Sequence, residues 1–495
     1  MPSNLNRYEV AKYIFNPFFI MLAGAFLLSV VSFSDVPIGN DEGVWGYIGR
    51  AWVADGLLPY SDIMDNKTPG IYYLNYISYL FFGANVWFMR FLALAATIAT
   101  AYLIYLLVKK IANRQAAVLS MAIFILLAPL PAFDGAYAQT ETFMNLFVIS
   151  SFYFMNALTL GRRKFAGLAL SGLCCGLAIT FRQSAIFSIV PLLFNAAFLE
   201  GYNLKRSLVS AGIFISGVIF STALGIFPYY LGGGRLIDYL NGAWLFLFLQ
   251  AKSGVVTGGL LHRFSGFSLR FFVSEMAILA GSAALFVVYL RKIKNSGFLF
   301  AAPLLVWVIF DFFSYNLQGT YFSHHLKLLM LSWSVCFGVV ADFFLKKFFG
   351  EERSLSSGAF VVAALFVFYV LFQNSYPAVI RNFLKGINNH EFRNVGLLVE
   401  SITKPGDMIY VYGLHTGPIY YYSQRNSPSR YWESSFLNIP GATAELQTRI
   451  LTDKPSVVLT LQNDDTIPLW FSEFIADYYR LTDQQYGYDI YTKIE

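Results

Sequence analysis

Long apolar runs alternate with short polar stretches along most of the chain. The runs fall at about 14–33, 86–108, 115–133, 142–160, 165–181, 184–200, 207–231, 271–290, 297–315, 325–345 and 357–374. A run of about 20 apolar residues is long enough to cross the hydrocarbon core of a bilayer as a helix. The pattern therefore predicts a polytopic α-helical membrane protein with about 11 transmembrane helices.

Basic and acidic residues fall on different sides of the predicted membrane. The tight basic clusters share one side with the N-terminus: Lys109, Lys110 and Arg114; Arg162, Arg163 and Lys164; Lys205 and Arg206; Arg291, Lys292 and Lys294; Lys346, Lys347 and Arg353. Because cytoplasmic loops carry an excess of Lys and Arg, this side is predicted to be cytoplasmic. The outer face then receives segments 34–85, 134–141, 232–270, 316–324 and the tail, and acidic residues concentrate there.

The first outer loop, residues 34–85, is predicted to hold two helices that lie in the membrane interface. Within 42–56 apolar residues recur at helical spacing, and Gly56 followed by Pro59 ends the run. Within 70–82 an aromatic face suits the depth of the lipid headgroups. Its members are Tyr72, Tyr73, Tyr76 and Tyr79.

The tail changes in character and predicts a small α/β domain outside the membrane. Its predicted elements are a helix at 390–402, a strand at 409–413, a helix at 417–423 and strands at 456–461 and 488–494. The predicted domains are a transmembrane module at 1–374, whose loop 34–85 is catalytic, and an extracytoplasmic domain at 375–495. No Gly-rich phosphate fingerprint follows the first strand.

Composition supports the membrane class and narrows the function. The chain is 57% hydrophobic and only 13% charged, with a formal net charge of +6, whereas a soluble domain averages about 25% charged residues. No basic stripe or nucleic-acid-reading motif is present, so nucleic acid is not expected as a partner. Cys174, Cys175 and Cys336 lie in apolar runs without metal-ligand spacing, and we interpret them as core residues.

Three carboxylates at helix ends are the candidate catalytic residues. Asp41 and Glu42 follow the first apolar run, and Glu141 ends the short second outer loop. Adjacent carboxylates at the water–lipid boundary repel each other and lose hydration, which raises a pKa and favours a general-base role. The alternative is that each caps the helix that follows, where an acidic residue is favourable.

Basic residues on the outer side are candidates for binding a lipid phosphate. Lys67 lies between Asp65 and Pro69 at interfacial depth, and a lysine there is a natural partner for phosphate. The other candidates are Arg90, Arg263 and Arg270. The alternatives are snorkelling to the interface or, for Lys67, an ion pair with Asp65.

Two adjacent histidines, His324 and His325, open the tenth predicted crossing. With carboxylates on the same side they could ligate a divalent metal ion. The alternative is a hydrogen-bonded structural role. The sequence leaves the metal requirement open.

The order of these parts resembles the GT-C membrane glycosyltransferases. Within them it is most similar to the protein O-mannosyltransferase-like, aminoarabinose-transferase-like and galacturonosyltransferase-type enzymes. The matching residues are the acidic pair Asp41 and Glu42; Gly56, Pro59, Tyr60 and Asp62; Asp65, Lys67 and Pro69; Phe82, Gly83, Asn85 and Arg90; Thr140 and Glu141; and His324. The resemblance covers residues 1–345.

The resemblance implies sugar transfer from a polyprenyl-phosphate-linked donor to a cell-envelope acceptor, which is a lipid, a glycan or a protein. It implies that Asp41 is the general base, that Glu141 helps to place the acceptor and that Lys67 contacts the donor phosphate. Further substrate-binding candidates are Tyr60, Asp62, Asp65, His324 and His325. The chain departs from many members in having Lys-Thr-Pro-Gly for Lys-Pro-Pro, and His-His for His-Tyr.

Two other functions share parts of this pattern. A transporter or flippase would show repeated helix sets and charged or broken helices at mid-membrane, whereas the charges here lie at helix ends. A glycan polymerase or ligase would place its key residues in one large late outer loop, whereas here the first loop holds most of the candidate residues.

The expected location is a bacterial inner membrane, with a cytoplasmic N-terminus and a periplasmic C-terminal domain.

Overall fold

The computed structural model describes residues 16–32, 36–130, 133–158, 162–247, 295–318, 322–343, 346, 390–413 and 415–494. Contacts between Cα atoms divide the chain into two compact units. The helical unit comprises Met1–Val36, Arg90–Gly225 and Thr257–Gly386. The mixed unit comprises Pro37–Met89, Ile226–Val256 and Ile387–Glu495.

The described part of the chain before the tail is mainly helical. In chain order the helices are α1 Pro17–Ser32, α2 Asn40–Asp55, α3 Gly70–Phe82, α4 Trp87–Ile111, α5 Arg114–Leu127, α6 Thr140–Ala157, α7 Arg162–Phe181, α8 Ile189–Leu199, α9 Leu204–Leu231, α10 Leu236–Tyr239, α11 Asn295–Gln318 and α12 at 327–343. A 3-10 turn, Gln183–Ser188, precedes α8, and a π-helical turn, Leu240–Leu245, follows α10.

Most of the predicted spans have a helical counterpart. Within the described residues, four helices are long and apolar enough to cross a membrane, namely Trp87–Ile111, Arg163–Phe181, Leu204–Leu231 and His324–Phe343. Shorter apolar helices cover Pro17–Val30, Arg114–Leu127, Gln183–Leu199 and Ala302–Asn316, and α6 matches the predicted span at 142–160. The predicted spans at 271–290 and 357–374 lie outside the described residues.

Small residues allow close packing inside the helical unit. A Cβ atom on Gly172 of α7 would lie 2.1 Å from the carbonyl oxygen of Phe214, and one on Gly176 would lie 2.4 Å from that of Val218. Glycines spaced by four residues let two helix backbones approach, which is a common device in membranes. The sequence of α7 therefore fixes its contact with α9.

The tail folds as predicted in its main elements and contains several more. The helix α13 Glu391–Ile402, the strand β1 Ile409–Val411, the helix α14 Gly417–Ser423 and the strands β2 Val457–Leu461 and β4 Tyr488–Lys493 confirm the sequence prediction. The sequence did not predict α15 Ala442–Asp453, α16 Leu469–Tyr478 or β3 Tyr479–Gln485. The sheet order is β1-β2-β4-β3, with β1 parallel to β2 and the other pairs antiparallel.

The two first-loop helices form as predicted but are more buried than interfacial helices would be. Every residue of α2 from Glu42 to Ala51 is buried within the protein. The helix packs against α14, where a Cβ atom on Gly43 would lie 2.4 Å from the backbone nitrogen of Pro418. On α3, Tyr72 is fully buried, which differs from the expected headgroup position. The sheet domain and the segment that holds α2 and α3 thus pack against each other in the mixed unit.

Candidate active site

The acidic pair lies in the first turn of α2, and its two members differ in their surroundings. Glu42 is buried, and its Oε2 accepts a hydrogen bond of 3.0 Å from the backbone N–H of Gly39. This contact confirms the capping interpretation for Glu42. Asp41 is half-buried at the helix N-terminus, where the partial positive charge of the helix favours a carboxylate. Glu42 is therefore held by its capping contact, whereas Asp41 is the more exposed member of the pair.

A tight loop after α2 positions Lys67. Tyr60 has a left-handed backbone with φ of 66° and is 1% exposed, and its hydroxyl donates a hydrogen bond of 2.6 Å to the carbonyl oxygen of Lys67. The Oδ2 of Asp62 accepts a hydrogen bond of 2.8 Å from the backbone N–H of Leu58. Tyr60 and Asp62 thus hold the loop by contacts inside the protein.

Asp65 is the buried carboxylate of this loop. Its Oδ2 accepts a hydrogen bond of 2.6 Å from the hydroxyl of Tyr72 on α3. Burial raises the pKa of Asp65, the positive charge of Lys67 and the Tyr72 hydrogen bond oppose that rise, and the negative charge of Asp41 adds to it. Asp41 and Lys67 therefore both act on Asp65 within a single site, which we name the first-loop site.

A network of aromatic and charged side chains packs against Tyr60 and Ser61 of this loop. The ring of Tyr60 packs edge-on against those of Tyr229 and Tyr239. The side chain of Asp238 accepts a hydrogen bond of 3.1 Å from Ser61 Oγ and two, of 2.7 and 3.0 Å, from Arg235. Arg235 is a highly exposed cation that the sequence analysis missed. Arg263 and Arg270 lie outside the described residues.

The tail contributes one further buried acid to the mixed unit. Glu433 is 7% exposed, and burial, with the negative charges of Asp65 and Asp41, raises its pKa to about 7. No local pattern around Glu433 indicated a functional role, because its surroundings depend on contacts that are distant in sequence. The described part of the first-loop site therefore includes a tail residue that the sequence analysis did not identify.

Glu141 lies in a buried polar cluster of the helical unit. It is fully buried at the start of α6, and its Oε1 lies 2.5 Å from Arg182 Nη1 in an ion pair without hydrogen-bond alignment. Its Oε2 accepts a hydrogen bond of 3.0 Å from the hydroxyl of Thr140. Arg182 was not among the candidate residues from the sequence, and its charge is the principal partner of Glu141.

The two histidines lie beside Glu141. His324 Nδ1 lies 3.2 Å from Asp134 Oδ2, and His324 Nε2 lies 3.8 Å from Glu141 Oε1. The rings of His324 and His325 meet edge-on with centroids 4.5 Å apart. One ligand atom from each of Glu141, His324 and His325 lies within 4.8 Å of the others. These three residues form the described cluster whose spacing suits a metal ion.

Arg90 is buried in the helical unit and donates a hydrogen bond of 3.0 Å to the carbonyl oxygen of Val36. It lines a cavity together with Lys327, Thr142 and Asn145. Lys327 is also buried and donates a hydrogen bond of 3.1 Å to Thr142 Oγ1. Lys327 lies one helical turn after His324 and was not among the residues predicted from the sequence.

The structure therefore gathers the predicted residues into two groups. In the mixed unit it brings together Asp41, Asp65 and Lys67, with Glu42, Tyr60 and Asp62 in supporting contacts. In the helical unit it brings together Glu141, His324 and His325, while Arg90 lines the cavity shared with Lys327.

Comparison with known proteins identifies the fold. The sequence model of a family described as dolichyl-phosphate-mannose-protein mannosyltransferase matches residues 66–226. No curated protein sequence matches the chain significantly.

Several solved structures share the architecture at low sequence identity. ArnT from Cupriavidus metallidurans, solved with bound undecaprenyl phosphate, is 13% identical and aligns over 96% of this chain and 98% of its own, with a TM-score of 0.64. An oligosaccharyltransferase from Archaeoglobus fulgidus, tethered to an acceptor peptide, is 11% identical over 97% of this chain and 74% of its own, with a TM-score of 0.60. The chain therefore shares the fold of these GT-C membrane glycosyltransferases, and over residues 66–226 its sequence is similar to the mannosyltransferase family.

Proposed function

We propose that the chain transfers a sugar from a polyprenyl-phosphate-linked donor to a cell-envelope acceptor at the outer face of a bacterial inner membrane. The observation that supports this most directly is the first-loop site, where two carboxylates and a lysine lie in one electrostatic neighbourhood. ArnT with undecaprenyl phosphate and the archaeal AglB with dolichol-phosphate have the same fold, with TM-scores of 0.64 and 0.52. A lipid-phosphate donor fits a site built from such residues.

In this proposal Asp41 is the general base. The acceptor hydroxyl loses its proton to the Asp41 carboxylate while its oxygen attacks the anomeric carbon. The bond from that carbon to the phosphate oxygen breaks, and its electron pair leaves with the polyprenyl phosphate. One displacement from the opposite face inverts the anomeric centre.

Lys67 stabilises the departing phosphate in this mechanism. The carbonyl oxygen of Lys67 accepts a hydrogen bond from Tyr60, which fixes the backbone, while its half-buried ammonium group extends to Asn66 Oδ1 at 3.2 Å. A cation placed where negative charge develops lowers the energy of the transition state. Arg90, Arg263 and Arg270 remain proposed phosphate contacts, and Arg235 joins them as an exposed outer-loop cation.

The domain organisation is part of the proposal. Residues 1–374 form the membrane module, with about 11 crossings, and residues 375–495 form the extracytoplasmic domain. The packing of α2 against α14 supports a domain that works together with the first outer loop.

A divalent ion is proposed to bind Glu141, His324 and His325, whose burial and donor set suit Zn²⁺. The Asp134 carboxylate on His324 Nδ1 would direct Nε2 towards the ion, as a carboxylate behind a metal-binding histidine does. Arg182 beside Glu141 opposes binding.

Elemental analysis after purification should find about one Zn²⁺ per chain, bound by His ligands. The ion should be lost in His325→Ala and kept in His390→Gln, and equal metal in the two variants would contradict the site.

The decisive test of the function is sugar transfer by the purified chain in nanodiscs. A panel of polyprenyl-phosphate sugars and cell-envelope acceptors would be offered to the native protein, to Asp41→Asn and to Asp477→Asn. Asp477 is exposed on α16 and provides a matched change of the same kind. We expect Asp41→Asn to lose at least about 100-fold in rate, because a general base contributes about 10²–10⁴, and Asp477→Asn to retain full activity.

Two results would contradict the proposal, and each would contradict a different part of it. Full transfer by a folded Asp41→Asn variant would remove Asp41 from the role of base. Movement of lipid or solute across vesicles by the native chain, with no donor consumed, would replace the proposed function by transport.

A further inference from the structure

Met64 is the residue at which the tail joins the first-loop site. Its backbone N–H donates a hydrogen bond of 2.9 Å to the carbonyl oxygen of Arg430. Its carbonyl oxygen accepts one of 2.8 Å from the indole N–H of Trp432. Met64 and Trp432 are both buried, and a buried backbone group needs a partner in place of the water that it has lost. The tail therefore supplies partners to both backbone polar groups of the residue that precedes Asp65.

The indole of Trp432 is held in place by the rings around it. It packs edge-on against Tyr47 of α2, with ring centroids 5.3 Å apart, and against Tyr420 of α14, with centroids 5.5 Å apart. The Tyr47 hydroxyl in turn accepts a hydrogen bond of 3.1 Å from the backbone N–H of Ser427. Rings that are packed this closely inside a protein have little freedom to rotate. Trp432 therefore presents its N–H to Met64 from a fixed position.

The same part of the tail is attached to α2 at a second place. Arg50 is buried on α2, and its Nη2 donates a hydrogen bond of 3.1 Å to the carbonyl oxygen of Arg425. Its Nη1 pairs with Asp55 at 3.0 Å, and Asp55 Oδ2 also accepts a hydrogen bond of 2.9 Å from Asn426 Nδ2. Residues 425–432, which we name the tail strap, are thus tied to α2 as well as to the first-loop site.

The contact at Met64 lies three residues before Lys67. Only Asp65 and Asn66 separate the two, and consecutive Cα atoms are about 3.8 Å apart, so a shift of Met64 has little chain in which to be absorbed. Asp65 is itself buried. The Tyr60 hydroxyl holds the carbonyl oxygen of Lys67 at 2.6 Å. The direction in which the Lys67 side chain extends therefore depends on the tail strap as well as on Tyr60.

We propose that Trp432 is a positioning residue for Lys67, through which the tail shapes the site for the donor phosphate. The inference rests on the proposed role of Lys67. A cation stabilises a phosphate well only from a defined place, and the tail strap keeps the loop of Lys67 in one shape before the donor binds. Such preorganisation raises affinity, because the loop loses less conformational freedom on binding. Loss of the Trp432 hydrogen bond should therefore weaken phosphate binding while Lys67 itself is unchanged.

The first measurement is amide hydrogen exchange of the full chain in nanodiscs, read by mass spectrometry. Trp432→Phe keeps a ring in the cluster and removes the N–H. Exchange in residues 60–67 should become about tenfold faster, because a buried carbonyl group loses its donor, while β1 and β2 keep their native rates. Trp470→Phe is the matched control, since Trp470 contacts Phe471 on α16 through its ring. Native exchange of residues 60–67 in Trp432→Phe would overturn the proposal.

The second measurement is the equilibrium binding of polyprenyl phosphate, the lipid product of the proposed reaction, to the same nanodiscs. Kd should rise about tenfold in Trp432→Phe and at least as much in Lys67→Ala, and Trp470→Phe should keep the native Kd. In the double variant, Kd should equal that of Lys67→Ala alone, because both changes remove the same contact. A merely structural role would multiply the two effects, and that result would overturn the proposal.

Tyr47→Phe tests the tail strap even where Trp432→Phe does not fold. It removes the hydroxyl that accepts the Ser427 N–H and leaves the ring against Trp432. Kd should rise about threefold, since one hydrogen bond of the tail strap is lost, and this rise should vanish when Lys67→Ala is also present. A rise of the same size in the presence and in the absence of Lys67 would contradict the proposal.

The exchange result requires no donor and separates the two hypotheses. Unchanged exchange in Trp432→Phe overturns the anchoring of the loop, even where Lys67→Ala weakens the binding of polyprenyl phosphate. Faster exchange in Trp432→Phe, together with native binding in Lys67→Ala, supports the anchoring of the loop, and in that case the proposed role of Lys67 fails instead.

Discussion

At the scale of single residues, Tyr72 decides how a buried carboxylate coexists with Lys67. Its hydroxyl donates to Asp65 at 2.6 Å and lies 3.3 Å from the carbonyl oxygen of Lys67. Hydrogen bonds to an ionised carboxylate are stronger than neutral ones and lower its pKa. Here that bond opposes the rise that burial imposes on Asp65. Tyr72 therefore helps to keep negative charge beside Lys67.

The change Tyr72→Phe tests this contact. Loss of the hydroxyl leaves Asp65 with one donor fewer, so the pKa of Asp65 rises further and its charge at neutral pH decreases. We expect the free energy of unfolding to fall by about 1–3 kcal/mol and KM for the donor to rise. Thermal unfolding and donor titrations measure both effects.

Tyr76→Phe is the matched control, because Tyr76 lies on the same helix and contacts Trp52 through its ring. Its variant should keep the native KM for the donor. Equal KM values for the native chain and Tyr72→Phe would show that the Asp65 contact does not position Lys67.

At the scale of elements, the sequence predicted those helices and strands that a local pattern of apolar residues specifies. Apolar runs predicted the membrane helices, and the bounds of α2 and α3 agree with the structure to within a few residues. In contrast, β3 was missed because it is a mostly exposed edge strand, with a polar sequence and a bulge between Leu481 and Asp483. Such a strand has no alternation of buried and exposed residues to reveal it.

The residues of the candidate site can likewise be divided into those that the sequence indicated and those that it missed. Asp41 and Lys67 stand at recognisable positions beside helices and turns, so the sequence alone indicated them. Glu433 and Lys327 were missed, because only tertiary packing shows that their charges are buried. Glu42 was indicated by sequence, and its hydrogen bond to Gly39 identifies it as a capping residue. Adjacent acids in one helical turn point in different directions, and that difference appears only in the structure.

At the scale of the whole molecule, the proposed chemistry requires the first-loop site and the tail to face the outside of the cell. The basic clusters predict this orientation, and among them Lys205 and Arg206 are exposed at the start of α9. The tail carries exposed acidic residues, including Asp477. If the orientation were reversed, a donor with its headgroup on the outer leaflet could not reach Asp41.

Cysteine labelling tests this orientation in a chain whose Cys174, Cys175 and Cys336 are replaced by Ala. In bacterial spheroplasts, a membrane-impermeant maleimide should label Asp477→Cys, and should label Lys205→Cys only after the membrane is permeabilised. Both positions are exposed in the structure, so a difference in labelling reports the side of the membrane and not burial within the protein. Labelling of Lys205→Cys alone in intact spheroplasts would put the first-loop site in the cytoplasm. The donor would then have to be presented on the inner leaflet, and the proposed outer-face reaction would be wrong.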